Sequence, residues 1–425
     1  MSHVVVIGAG LGGLAAAVRL AAARLAVTLE GGTTDDPVLP AFAQTMRSFG
    51  IDHDDVTAFL RSMRADLTVD RYESPRCREP AGWGRHEVVR CEVVQCCRRE
   101  GVMSEPVAVD AMGGDHGPGE TVAGAVTARR ELGIPVVLVG RSGAVRAELA
   151  RHGAVGEIGV VHAEDVVPMT ERGAGAVFST TTSLTVGCDL VRRKEVSAFV
   201  SAGSTGAVVS CAIHGIGRAP GVLRPALAIA LPSVTGGATV LIDAGATSDP
   251  TPEMIAQFAL LGASYAQLVL GVADPSVGLL SIGSEPGKGN RLTRRAGELL
   301  AGLPLRFCGN VEGHDVLAGT VDVIVTDGFT GNVVLKNVEG SVRAALTLVA
   351  RSGAAGAEEL RAVARRYAPE AYGGAALLGL IGTVVVAHGS SPAATIARAC
   401  AVAHDLAEGG VVTRLADRLT AEAAR

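Results

Sequence analysis

Of the 38 basic residues in this 425-residue chain, only Lys194, Lys288 and Lys336 are lysine, and its only asparagines are Asn290, Asn310, Asn332 and Asn337. Two of the lysines and all four asparagines fall in glycine-rich stretches: GSEPGKGN at 283–290, FCGNVEG at 307–313 and TDGFTGNVVLKNVEG at 326–340. A compact ammonium between glycines can approach a small anion that a planar guanidinium would miss, and the N–H groups of a glycine turn can converge on the same anion. Asn290, Asn310 and Asn332 each follow a glycine, where asparagine adds an amide donor or simply tolerates a left-handed turn. Similar stretches are MGGDHGP at 112–118, SAGSTGA at 201–207, IDAGAT at 242–247, YGGAALLGL at 372–380 and AHGSS at 387–391. One such loop is a weak signal; this many predict a cleft for phosphate or another oxyanion. The nucleotide P-loop is excluded, because the GK pair is followed by Gly289 and not by Ser or Thr. His116 and His388 supply groups able to donate a proton or a hydrogen bond.

Such loops need a rigid frame. Short β-branched runs at Val107–Asp110, Val136–Gly140, Ala198–Ser201, Val240–Asp243, Leu279–Ile282 and Val321–Thr326 alternate with Ala- and Leu-rich helical stretches. That alternation predicts an α/β fold, a mostly parallel sheet with flanking helices, which binds ligands beyond the carboxyl ends of its strands. With 48% hydrophobic residues and 55 glycines the chain can fill a large core. A charged fraction of 19%, 3% aromatics and a net charge of -5 give no support to nucleic-acid binding. No apolar run reaches the ~18 to 20 residues of a membrane span and no basic stretch precedes an apolar start, so a cytoplasmic location is expected. Cys188, Cys211, Cys308 and Cys400 read as small core residues; Cys77, Cys91, Cys96 and Cys97 match no zinc spacing, and no metal site is expected.

The first hundred residues follow a different logic. Residues 1–31 form a strand, a glycine turn with Gly8, Gly10 and Gly13, a helix and a strand ending at Glu30, and they resemble the start of flavin-dependent phytoene desaturases. Residues 35–74 resemble an interior piece of squalene and phytoene synthases, and 75–101 carry neither helical nor strand periodicity. A lone βαβ start holds no cofactor. Residues 32–102 are therefore expected to be fragment and linker, and the enzyme is expected to occupy 103–425, with Met103 as a natural start and 1–102 dispensable.

From about Val107 to Ala407, the motifs MGGDHGP, SAGSTGA, GSEPGKGN, GNVEGHD, DGFTGNVVLK, YGGA and HGSS, in this order, resemble the bacterial phosphate acyltransferases of phospholipid synthesis, the acyl-ACP:phosphate transacylases. The resemblance implies a two-lobed fold similar to isopropylmalate dehydrogenase and phosphotransacetylase, a homodimer, no cofactor, and transfer of a fatty acyl group from acyl carrier protein to inorganic phosphate. It further implies contact with the inner face of the membrane and with glycerol-3-phosphate acyltransferase, which uses the product. Phosphate is itself the nucleophile, so no Ser-His-Asp triad is required. On this reading Lys288, Gly289 and Asn290, with the backbone around Gly113, Gly114 and Asp115, hold phosphate. Ser201, Ser204, Thr205 and Gly206 face the thioester or its oxyanion, and Asp327, Gly328, Thr330, Gly331, Asn332 and Lys336 complete the wall. Asp243, Gly283, Glu285, Asn310 and Glu312 join the substrate cleft, His116 and His388 act as acid or donor, and Arg291, Arg294 and Arg295 dock the acidic carrier.

The chain departs from the family pattern at several points. Ser204 and Thr247 stand where the family carries asparagine, residues 176–184 lack a cation, and the apolar hairpin is abbreviated to about 341–368. These departures leave room for a weakened binder of acyl carrier and phosphate. The amino-terminal fingerprint admits a flavin-linked carotenoid oxidoreductase.

Overall fold

The computed structural model describes residues 105–416, apart from 172–174, 178, 354 and 368–372; the readings made for residues 1–102 lie outside this range. The strands are β1 (Val107–Asp110), β2 (Val136–Gly140), β3 (Gly159–His162), β4 (Ala198–Ser201), β5 (Ala226–Pro232), β6 (Ala238–Ile242), β7 (Ser276–Leu280), β8 (Arg306–Val311), β9 (Val323–Val325), β10 (Ala375–Leu378) and β11 (Thr383–Val386). They form one sheet in the order β3-β2-β1-β4-β11-β10-β5-β6-β9-β7-β8. The helices are α1 (Gly119–Glu131), α2 (Ser142–Arg151), α3 (Ser183–Arg192), α4 (Thr205–Gly215), α5 (Pro252–Val269), α6 (Arg291–Leu300), α7 (Gly328–Ser352), α8 (Ala357–Tyr367) and α9 (Ala393–Glu408).

The expected mostly parallel sheet is present, in two parallel halves. Strands β3, β2, β1, β4 and β11 run one way. Strand β10 is antiparallel to β11 and β5, and β5 is antiparallel to β6, so β6, β9, β7 and β8 run parallel to one another and opposite to the first half. Alternation along each strand divides the core between the sheet's faces. Val107, Val109, Val240, Ile242, Val323 and Val325 pack with α1, α2, α5, α6 and α9, whereas Ala108, Leu241 and Ile324 pack with α3, α4 and the first turns of α7.

Three stretches read as glycine loops are regular structure. Gly309 and Asn310 lie within β8, Ala375–Leu378 is β10, and the chain from Gly328 is helical. The last is dictated locally: the Asp327 side chain accepts the Thr330 N–H at 2.8 Å and satisfies a donor the helix leaves free. Asp243 and Thr326 lie one residue past β6 and β9 and are still joined across them, the Asp243 N–H donating to the Thr326 carbonyl at 3.2 Å and the Thr326 N–H to the Ile242 carbonyl at 2.7 Å. Cys188, Cys211 and Cys400 are core residues as expected, but Cys308 is exposed on the edge strand β8.

Helix α7 buries only Gly328 and Gly331, and α8, which packs on it, buries none of its described residues. Together they occupy the stretch expected to form an apolar hairpin, with Leu348, Val349 and Val363 exposed. No described helix is long and apolar enough to cross a membrane.

Candidate active site

At the carboxyl end of the first half, three loops close on one another. The Asp115 N–H donates to the Gly389 carbonyl at 2.8 Å, joining the loop after β1 to that after β11, and the Ala387 N–H donates to the Ser201 carbonyl at 2.9 Å, joining the loop after β11 to the end of β4. Gly114 adopts φ 89°, and a β-carbon there would lie 2.9 Å from the Gly389 carbonyl and 3.2 Å from the Ala202 side chain. That position requires glycine on both counts. His116 is exposed, and its carbonyl accepts the Glu120 N–H as α1 begins. The Glu120 carboxylate caps α9, accepting the Ala393 N–H at 2.6 Å.

Ser204 precedes α4 but makes no side-chain cap, so the N–H groups of Thr205, Gly206 and Ala207 find no acceptor among the described residues. This amino end is free to face developing negative charge. Helices α6 and α7 differ: Asn290 caps the first, accepting from Thr293, and Asp327 caps the second.

In the second half, Asp243 is fully buried at the end of β6. Its carboxylate accepts the N–H groups of Leu227, Gly245, Ala246 and Thr247 at 2.7–3.2 Å. Burial holds its pKa above the usual carboxylate value, and those four donors offset only part of the rise. The Thr247 carbonyl accepts the Gly328 N–H, and a β-carbon on Gly331 would lie 2.0 Å from the Asp243 carbonyl. Gly328 and Gly331 therefore let α7 sit on the Asp243 loop. Asn332 abuts Gly245.

Helix α7 then connects the two halves. Lys336 lies eight residues beyond Gly328, roughly 12 Å along the axis. Its ammonium stands 3.3 Å from His388 Nε2. On the other side of the ring, Nδ1 lies 2.9 Å from Ser390 Oγ and accepts the Ser390 N–H at 3.3 Å. Asn332 is one turn before Lys336 on the same helical face.

The GSEPGKGN loop forms a separate cluster after β7. Asn310 Nδ2 donates to the Glu285 carbonyl at 3.0 Å, and Gly283 is packed against the side chains of Glu285 and Lys288. Gly289, at φ 106°, lies against Ser281 and Thr293. Glu312 starts a short 3-10 turn, Gly313–Val316, its N–H donating to Asp315. Arg291, Arg294 and Arg295 are exposed at the start of α6; Arg294 donates to the Gly289 carbonyl and Arg295 pairs with Glu298. Among the described residues no hydrogen bond links this cluster to Gly113 and Gly114; the lysine that reaches the first half is Lys336.

Sequence reasoning missed Asp110, which is 1% exposed at the end of β1 and accepts from Ser201 Oγ at 2.8 Å. Its signal was an acid ending an apolar run, VAVDA, repeated as VLIDA at Asp243. Ser390, which orients His388, was also missed.

The family described as "Fatty acid synthesis protein" matches residues 106–414. The phosphate acyltransferase of Thermobifida fusca is 54% identical over 327 residues, covering 74% of this chain and 89% of that protein. That of Gloeobacter violaceus is 43% identical over 325 residues, covering 74% and 96%. Among solved structures, a phosphotransacetylase from Streptococcus pyogenes aligns with a TM-score of 0.50 at 19% identity, covering 75% of this chain and 98% of that one, a likeness of fold.

Proposed function

The chain belongs to the phosphate acyltransferase family, and on that premise we propose how its two half-sheets divide the work of moving a fatty acyl group onto inorganic phosphate. The reaction serves phospholipid synthesis. A phosphate oxygen attacks the thioester carbonyl, the carbonyl oxygen becomes an oxyanion, and the thiolate of acyl carrier protein departs as acyl phosphate forms. The protein must hold the anion at the carbonyl and stabilise the oxyanion; neither task needs a covalent intermediate.

The observation that carries this division is the Lys336–His388 contact, the hydrogen bond that brings a cation of the second half to the loops of the first. Phosphate sits between Lys336, Asn332 and His388 on one side and the Gly114–Asp115 turn on the other. The free amino end of α4, at Thr205 and Gly206, receives the oxyanion. Ser204, uncapped and half-buried, offers its hydroxyl there in place of the family's amide. The Thr247 backbone holds the loop, so exchange of asparagine for threonine there leaves the loop's hydrogen bonds in place. Lys288, Arg291, Arg294 and Arg295 form a basic rim for the acidic carrier. A homodimer, peripheral membrane contact through α7 and α8, and delivery to glycerol-3-phosphate acyltransferase complete the proposal; exposed Leu348, Val349 and Val363 support a surface role for the hairpin.

A second reading, a weakened binder of carrier and phosphate, is favoured by Ser204, where a hydroxyl replaces an amide donor. The test is thioester loss from acyl carrier protein with and without phosphate. Loss that depends on phosphate supports the enzyme, and binding of both ligands without loss supports the binder.

A further inference from the structure

Ser201 and Gly113 belong to glycine-rich motifs that invite assignment to substrate contact, yet both are buried. Ser201 is 1% exposed, and Gly113 is buried. Asp110 Oδ1 accepts the N–H groups of Met112 and Gly113, each at 3.1 Å. Oδ2 accepts the Ser201 hydroxyl at 2.8 Å, and Ser201 Oγ in turn accepts the Gly203 N–H at 3.0 Å. The hydrogen bonds thus run in one direction, from Gly203 through Ser201 to Asp110, while the same carboxylate pins the turn after β1. A β-carbon on Gly113 would lie 2.4 Å from Asp110 Oδ2 and 2.9 Å from the Gly203 nitrogen, so the two loops are in direct contact across the relay. A carboxylate serves all these donors because both its oxygens accept; an amide has one accepting oxygen and presents an NH2 in place of the other.

Gly203 is followed by Ser204 and then by the first turn of α4, whose Thr205, Gly206 and Ala207 N–H groups have no partner among the described residues. The relay ends one residue short of that free turn and sets where it points relative to Gly114. We propose that Asp110, acting through Ser201, is a positioning residue: it fixes the amino end of α4 against the Gly113–Gly114 turn without touching substrate. The proposal rests on the acyl-transfer reading of this site. It places Ser201 behind the oxyanion donors, and it explains a buried acid at the end of β1 with no ion pair to a cation among the described residues.

The experiment compares wild type, Ser201→Ala, Asp110→Asn and the double variant for phosphate-dependent acyl phosphate formation, with thermal melts on each. Misplaced donors slow the chemical step and leave ground-state phosphate binding largely intact. Ser201→Ala is therefore expected to lower kcat about 10- to 100-fold while the phosphate KM stays within about twofold. Because both residues belong to one relay, the double variant should be no slower than about threefold below the worse single variant; independent structural damage would multiply the losses. If Asp110→Asn fails to fold, Ser201→Ala alone decides. A folded Ser201→Ala with wild-type kcat, or with a raised phosphate KM and unchanged kcat, overturns the proposal. Absence of turnover in wild type would instead overturn the acyl-transfer reading, and the relay's role with it.

Discussion

At the scale of single residues, the division of labour rests on two lysines in different places. Lys336 meets His388 of the other half, whereas Lys288 lies in the loop that leads into the arginines of α6. Lys336→Ala is expected to cost roughly 2.7 to 4 kcal/mol of transition-state stabilisation, about 10²- to 10³-fold in kcat, as losses of comparable anion-stabilising groups do. Lys336→Arg should recover little, since a fork of donors does not replace a point charge in this position. Lys288→Ala should leave kcat within a few-fold and raise the KM for the carrier substrate. Initial rates under saturating phosphate separate the two; a collapse of kcat in Lys288→Ala with a mild effect in Lys336→Ala would reverse the assignment. The scarcity of lysine and asparagine singled out each of these residues in the sequence. It could not pair Lys336 with His388, which drew notice only through its glycine-rich loop, because the two are 52 positions apart and meet only through the length of a helix. Asp110 escaped notice because a single acid at the end of an apolar run looks like an ordinary strand terminus until its burial is known.

At the scale of elements, α7 is the device that links the halves, and its glycines do different jobs. Gly331 is the site of contact with the Asp243 loop, where a β-carbon would lie 2.0 Å from a carbonyl oxygen; Gly340, on the same helix, has open space around it. Gly331→Ala should destabilise the protein by about 1 to 3 kcal/mol, as overpacking does, and lower activity by tilting Lys336 away from His388. Gly340→Ala should stabilise it by about 0.5 to 1 kcal/mol, because alanine loses less backbone freedom in a helix interior. Urea titrations of both variants check the pair, and equal shifts of one sign would refute the distinction. The sequence pattern located β1, β2 and β4 to the residue, since they are buried apolar runs flanked by turns, but it did not pick out β3 and β11 of the same half. It read β8, β10 and the start of α7 as loops, because glycine and asparagine there signal turns when their neighbours in space are unknown. In the folded chain most of these glycines answer a packing demand.

At the scale of the whole molecule, the two parallel halves point their carboxyl ends in opposite directions, and the antiparallel pair β10 and β5 joins them into one sheet. Strand order of this kind depends on long-range pairing that periodicity does not encode, so the sequence showed an α/β frame without its reversal. The described residues form a continuous core around β1, whose Val107 N–H bonds to Pro135 and whose neighbour Ser197 bonds to Pro106. A chain beginning at Met103 is accordingly expected to melt within a few degrees of the full chain and to keep its rate, and a large loss of either would refute the view of residues 1–102 as dispensable. Charge acts over the same scale. Replacing Arg291, Arg294 and Arg295 with glutamate should raise the KM for the acidic carrier, leave that for phosphate nearly unchanged, and flatten the dependence of the rate on salt. Equal changes in both constants would place the docking surface elsewhere. The central claim, transfer of an acyl group to phosphate itself, is tested most directly by incubating the full chain with a long-chain acyl carrier protein thioester and trapping the product with hydroxylamine. The account predicts acyl hydroxamate and free carrier thiol that rise with phosphate and enzyme well above the background of hydroxylamine's own attack on the thioester. Hydroxamate formed equally without phosphate, or thioester that persists at saturating phosphate, would contradict it.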